Sequence, residues 1–149
     1  MGAQMTLCLR FATLEDLPAL LRLETLCFSD PWSEEGLASQ LHAESGETVV
    51  ALLDGNAVGY LAMTLIPPEA EVCRVAVDPI CRRMGIGRRL LSDFFERHPE
   101  TESVFLEVRE SNLPAQNCYA RAGFVPVGRR KNYYELPKED ALLMGRQLL

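Results

Sequence analysis

The residues best placed to do chemistry begin with one short loop. Arg82-Arg83-Met84-Gly85-Ile86-Gly87-Arg88-Arg89 lies between an apolar run and an amphipathic one. Two glycines let a backbone approach a ligand closely, and a helix that starts there offers free N–H groups to an anion. Four of the chain's thirteen arginines fall within these eight residues. A helix N-terminus disfavours cations, so a negatively charged ligand, phosphate above all, would offset the cost. The third glycine of a GxGxxG is missing, since Leu90 stands there, and GxxxxGK[ST] is absent. The loop therefore fits neither a Rossmann dinucleotide site nor a P-loop. The competing account is a glycine turn with solvated arginines.

Other reactive groups are scattered. Cysteines 8, 27, 73, 81 and 118 form no CxxC, and His42 and His98 are not at metal-ligand spacing from any pair. They read as free thiols in a reducing cytosol, with no metal. The 149 residues carry 15 Lys and Arg against 21 Asp and Glu, a net charge of −6. That argues against direct nucleic-acid binding and suits a basic or amine-bearing partner. The longest apolar stretch, Ala57–Ile66, is too short to span a bilayer, and no signal peptide is visible. Met1-Gly2-Ala3-Gln4-Met5-Thr6 formally matches a myristoylation pattern, but no basic cluster follows it. The expectation is a cytoplasmic protein without a membrane partner.

The elements that must hold the loop can be read in order. Leu7–Phe11 reads as a strand, and Thr13-Leu14-Glu15-Asp16 as a capping box before a helix with the stripe Leu14, Leu17, Leu20, Leu21. Phe28–Ser33 interrupts it, and Ser33 caps a second helix to about Ala43. Thr48–Leu53 and Ala57–Ile66 flank Asp54-Gly55-Asn56, a hairpin signal. Glu71–Val77 is a further strand, stopped by Asp78-Pro79. Ile86, Leu90, Leu91 and Phe94 have helical spacing up to His98-Pro99. Ser103–Val108 reads as a strand, Asn112 caps a helix over Leu113–Ala122, and Phe124–Gly128 and Ala141–Leu148 are the last strands. The order β-α-α-β-β-β-α-β-α-β-β implies a mixed α/β sheet in one domain over residues 1–149.

Arg82-x-x-Gly85-x-Gly87 after Val75-Ala76-Val77-Asp78-Pro79 resembles the acyl-CoA signature of the GNAT acetyltransferases, and the element order is also theirs. The resemblance runs from Phe11-Ala12-Thr13 to Met144. Phe28-Ser29-Asp30-Pro31-Trp32-Ser33, Leu106-Glu107-Val108-Arg109, Asn112, Tyr119, Asn132-Tyr133-Tyr134 and Glu139-Asp140-Ala141 look like the bacterial ribosomal-protein-alanine N-acetyltransferases of the RimI type. The fold this implies is a mostly antiparallel mixed sheet of about seven strands flanked by about four helices, with a splayed central strand pair. The implied activity is transfer of acetyl from acetyl-CoA to the α-amino group of a ribosomal protein N-terminus.

The resemblance also implies roles. The CoA would be held by Arg82, Arg83, Met84, Gly85, Ile86, Gly87 and Arg88, its pyrophosphate on backbone amides from roughly Arg83 through Arg88. The pantetheine arm would pair with Val75, Ala76 and Val77, and the Val77 amide would polarise the thioester carbonyl. Glu107 matches the proposed base; its alternative is a strand-edge carboxylate paired with Arg109 or solvated. Tyr119 matches the general acid; its alternative is a core tyrosine on the stripe Ala115–Tyr119–Ala122. Asn112 would bond the pantetheine, cap its helix, or both.

Trp32 either lines the acceptor groove or anchors its loop to the core. Tyr133 and Tyr134 are candidates to bond the incoming peptide, and strand alternation would admit only one of them. Arg74 departs from the family, whose members usually carry Asn there. A cation beside an ammonium acceptor is unfavourable unless it faces away or pairs with Glu71 or a substrate carboxylate. The alternatives at this point are a GNAT enzyme acting on a small amine or a lysine side chain, and a CoA-binding module without turnover.

Overall fold

The computed structural model describes residues 5–147. The myristoylation pattern begins outside them. In chain order the elements are β1 (Leu7–Phe11), α1 (Leu17–Cys27), α2 (Glu34–His42), β2 (Gly46–Leu53), β3 (Asn56–Ile66), β4 (Glu69–Val77), α3 (Ile86–Arg97), β5 (Ser103–Arg109), α4 (Leu113–Arg121), β6 (Val125–Glu135) and β7 (Lys138–Gln147). The seven strands form one sheet in the order β1-β2-β3-β4-β5-β7-β6. Every neighbouring pair is antiparallel except β4 and β5. This is the mixed, mostly antiparallel sheet with four helices that the sequence implied.

Alternation along the central strands serves two cores. Val50, Tyr60, Ala62 and Ala76 pack with Leu20 and Leu23 of α1 and Leu37 of α2. Val49, Ala51, Leu61 and Met63 point the other way, toward Ile86, Leu90, Leu91 and Phe94 of α3 and Tyr119 of α4. Both faces of β2 and β3 are therefore covered, which is why these strands read as nearly unbroken apolar runs. Full burial of each such Leu or Phe stabilises the fold by about 1.5–3 kcal/mol. Among the described residues, no helix is long and apolar enough to cross a membrane.

Most boundaries shift by one or two residues from the sequence reading, and two differ by more. The Thr13–Asp16 capping box closes a 3-10 turn over Leu14–Asp16 before α1 begins. Thr13 N–H donates to Asp16 Oδ2 at 2.8 Å, and Arg10 holds both Asp16 oxygens at 2.8 Å. The tighter turn leaves Leu14 exposed. Of the predicted stripe, Leu20 is fully buried and Leu17 and Leu21 pack against the same core, while Leu23 and Glu24 are the other buried positions of α1. The last hairpin is also longer than predicted, since β6 continues past Gly128 to Glu135 and β7 starts at Lys138. That extension is polar and exposed, so no apolar periodicity marks it.

One discontinuity in the sheet matters most. β4 pairs with β5 only over Glu69–Val72 and Ser103–Leu106. Beyond that point β4 runs on to Val77 bonded to β3, and β5 runs on to Arg109 bonded to β7. The sheet splits between them.

Candidate active site

A cleft of about 740 Å³ opens where the sheet splits. Cys73, Arg74 and Val75 of β4 form one wall, and Glu107, Val108 and Arg109 of β5 form the other. The α1–α2 loop (28–32), Asn112 and Tyr119 of α4, and Tyr133 and Tyr134 of β6 complete it. A smaller depression bounded by Trp32, Ser33, Gly36 and Gln40 holds none of the predicted catalytic groups. The larger cleft is the site because it gathers them.

The glycine loop adjoins this cleft without lining it. Asp78 N–H donates to Val58 at 2.8 Å. By antiparallel alternation, the main chain of Val77 and Val75 faces away from β3, toward the split. The Val77 carbonyl accepts from Cys27 Sγ at 3.2 Å and from Arg82 Nε at 3.3 Å, and its N–H points to the same side, where pairing with β5 has already ended. The chain then turns through Pro79–Cys81 into α3. Gly85 sits at the N-cap with φ 77°, a left-handed conformation that glycine adopts without strain. A Cβ there would touch nothing within 4 Å, so the backbone angle and not crowding calls for glycine. With no side chain to cap the helix, the first-turn N–H groups stay available to an anion. Among the described residues, Arg82, Arg83, Arg88 and Arg89 join no ion pair.

Not every side chain of this stretch faces the site. Ala76 belongs to the α1 and α2 core, and Ile86 to the α3 core. Gly87 is buried, and a Cβ on it would meet Cys118 Sγ at 3.7 Å and the Val75 and Val77 methyls at 3.8 Å. Any contact that these residues make with a ligand therefore comes from the backbone.

Glu107 does not pair with Arg109. Arg109 is taken by Glu139 at 3.2 Å and by the Leu136 and Pro137 carbonyls at 2.9 and 2.8 Å. Glu107 instead meets Arg130 Nε of β6 at 3.1 Å. The Tyr133 phenol is held above its ordinary value, first by hydrogen bonding with Glu107 and then by burial. Across the cleft, Tyr119 is 8% exposed yet lines the space, so both the cleft-facing and the core account of it hold. Burial pushes its phenol well above the usual range, and Cys118 and Tyr134 add to the effect. The ring stays protonated at neutral pH, as a proton donor must. Asn112 caps α4, accepting from Ala115 N–H at 3.2 Å, while also lining the cleft.

Tyr133 and Tyr134 both reach the cleft, against the alternation expectation. Pairing of β6 with β7 lapses between Arg130 and Tyr134, and Asn132 has φ 53°. This irregularity re-aims neighbouring side chains, as bulges do. Their rings meet edge to face at 5.1 Å. Burial, then Glu107, raises the Tyr134 phenol to about 12.

Arg74 also departs from expectation. It pairs with Glu24 of α1, not Glu71, at 2.9 Å. Glu24 is fully buried and was missed by the sequence reading. A carboxylate directly after Leu23, on the face that Leu20 marks as inward, was the available signal. Trp32 lines the cleft, and its backbone N–H donates to Glu24 Oε1 at 2.6 Å, which anchors its loop to the core.

Residues 17–124 match the model of the acetyltransferase (GNAT) family. The [ribosomal protein bS18]-alanine N-acetyltransferase of Escherichia coli (strain K12) is 32% identical over 134 residues, 87% of this chain and 90% of the relative. The N-alpha-acetyltransferase RimI of Mycobacterium tuberculosis (strain ATCC 25618 / H37Rv) is 35% identical over 140 residues, 90% of this chain and 88% of the relative. The crystal structure of the ribosomal-protein-S18-alanine N-acetyltransferase from Escherichia coli superposes with a TM-score of 0.88 at 29% identity, covering 96% of this chain and 94% of that one. The split sheet, the glycine turn ahead of α3 and these likenesses agree: the chain belongs to the GNAT acetyltransferase family.

Proposed function

We propose that this protein transfers an acetyl group from acetyl-CoA to the N-terminal α-amino group of a protein, a ribosomal protein beginning with alanine. The observation that carries the reading is the split of β4 from β5 beside the glycine turn, with Glu107 and Tyr119 lining one cleft. The names of the relatives support the acceptor. We read the chain as one acetyltransferase unit acting in the cytoplasm, with no metal, nucleic acid or membrane needed.

Acetyl-CoA supplies the activated acetyl thioester. The free amides of the α3 first turn suit its pyrophosphate, and the edge of β4 left unpaired beyond Val72 suits a pantetheine arm lying like a strand. The Val77 N–H then polarises the thioester carbonyl. The acceptor arrives as an ammonium and must lose a proton before it can attack. Glu107 takes that proton directly or through one water. As the C–S bond breaks, the departing thiolate needs a proton and Tyr119 donates it; the second proton, released by the acylated nitrogen, restores the phenol directly or through water.

Transfer is direct, from thioester to amine. Cys27 and Cys73 line the cleft, but burial holds both thiols above their ordinary value and keeps them from acting as thiolates. The engagement of Arg74 by Glu24 removes the specific ground for an acceptor carboxylate. The test is competition, read by mass spectrometry, between a peptide beginning with Ala and its N-blocked twin carrying an internal Lys. The Ala peptide is expected to have the higher kcat/KM. Faster acetylation of the blocked peptide, or of spermidine, overturns the reading.

A further inference from the structure

The arginine in the cleft wall is held by a carboxylate that no solvent reaches. Glu24 has 0% exposure, while the Arg74 side chain keeps 18% and lines the cleft. Glu24 Oε1 accepts from Arg74 Nη2 at 2.9 Å, and Oε2 from Arg74 Nε at 3.1 Å. Glu24 also accepts from the Trp32 backbone N–H and from the Tyr60 hydroxyl. The guanidinium reaches on to the Asp30 carbonyl at 3.0 Å. Its plane is covered by Phe28, 3.9 Å from the ring centroid, and by Trp32 at 4.8 Å. One carboxylate and one guanidinium thus join α1, β3, β4 and the loop between α1 and α2.

Buried ion pairs are seldom retained for stability alone, since well-packed apolar residues often do as well. This pair does two things that apolar residues would not. It fixes the backbone of Asp30 and Trp32 through directed hydrogen bonds, and it cancels a positive charge facing the space an ammonium must enter. A fork-shaped guanidinium can hold Glu24 and Asp30 at once while stacking on two rings; an ammonium cannot.

We propose that Glu24 and Arg74 form a neutralised clamp of positioning residues that sets the α1–α2 loop (28–32) as the acceptor wall of the cleft. The inference rests on the proposed function, because it takes this cleft as the route of an amine acceptor.

The experiment compares wild type, Arg74→Lys, Glu24→Gln and Glu24→Gln/Arg74→Gln, with kcat and separate KM values for an Ala-starting peptide and for acetyl-CoA. Arg74→Lys keeps the charge beside Glu24 and loses the fork, so it should fold and raise the peptide KM by roughly 10-fold. The acetyl-CoA KM should stay within about twofold, because the glycine turn is untouched. Glu24→Gln leaves an uncompensated cation in the wall and should raise the peptide KM at least as far. The double variant removes that cation and should recover part of the loss. Thermal unfolding identifies any variant that fails to fold; if Glu24→Gln does, Arg74→Lys decides alone. The proposal is overturned if both KM values move together, or if neither moves. A wild type that does not acetylate the Ala peptide sinks the proposed function and the clamp with it, whereas an active wild type with an unaltered KM in Arg74→Lys sinks the clamp alone.

Discussion

Gly85 and Gly87 stand two residues apart in the same turn, yet the structure assigns them opposite tolerance to a methyl group. Gly85 has φ 77°, and an L residue there pays about 1–2 kcal/mol for the left-handed conformation. A Cβ on Gly85 would meet nothing within 4 Å, so no packing gain offsets that cost. Gly87 lies inside the first turn of α3, and its added Cβ would point inward to contacts of 3.7–3.8 Å, an ordinary packing distance. Alanine is favoured over glycine in a helix by roughly 0.5–1 kcal/mol. Gly87→Ala should therefore raise stability slightly and Gly85→Ala lower it. The gap between them is about 1.5–3 kcal/mol, or roughly 13- to 160-fold in the folding equilibrium. Urea unfolding measures both, and calorimetry with acetyl-CoA measures binding. Gly87→Ala should keep its affinity within a few-fold, because the methyl points at Val75, Val77 and Cys118, not at the anion. A folded Gly87→Ala protein that has lost more than about 10-fold in affinity would refute this, and would mean that a ligand approaches the Gly87 Cα itself. For the same reason, Gly87→Glu would bury a carboxylate against apolar side chains and would report on folding before it reported on binding.

Tyr119→Phe should lower kcat by about 10²–10⁴-fold with acetyl-CoA affinity kept, in steady-state kinetics paired with calorimetry; retained kcat would remove Tyr119 as the proton donor. Cys27→Ala and Cys73→Ala should each leave most of the activity, and trapping an acetyl-cysteine that turns over at the catalytic rate would contradict direct transfer. The Arg10 hydrogen bonds, and then the Thr13 N–H, hold the Asp16 carboxyl below its ordinary value. Its stabilising contribution is thus complete at neutral pH, above the unfolded value, and is lost as pH falls through the folded one. Wild type and Asp16→Asn should differ in urea midpoint at pH 7 and converge in strong acid; an undiminished gap there would show that Asp16 stays neutral when folded.

The order of elements was legible because each strand or helix of the two cores carries its own period. Ile86, Leu90, Leu91 and Phe94 mark one face of α3 whatever surrounds them, and all four are buried. The glycine turn was legible because glycine types report backbone angles and close approach directly. Three features were not, and each has a physical reason. Leu14 looked like part of a stripe because the sequence does not distinguish a 3-10 turn from the first turn of an α-helix. The outer half of β6 carries GRRKNYYE, whose exposed side chains obey no apolar period, so neither the strand nor its bulge was visible. The partners of Arg74, Arg109 and Glu107 lie 50, 30 and 23 positions away in the chain, and only the closed sheet brings them together.

Those unseen partners decide how the cleft treats charge. Arg74 and Arg109 both line it, and read from the sequence both count as cations facing an ammonium. Each is neutralised from outside the cleft lining, Arg74 by Glu24 behind it and Arg109 by Glu139 on β7. Among the described residues, the cleft carboxylate Glu107 has one cationic partner, Arg130, whose side chain is 58% exposed and stands on the irregular part of β6. The Glu107 side chain is only 18% exposed, so water and salt compete mainly for the arginine end of the pair. An incoming ammonium can compete with Arg130 for Glu107 from the solvent side, whereas taking the place of Arg74 on Glu24 would mean breaking a pair whose carboxylate is fully buried. The two cations that cannot move are silenced, and the one that faces the proposed base can leave.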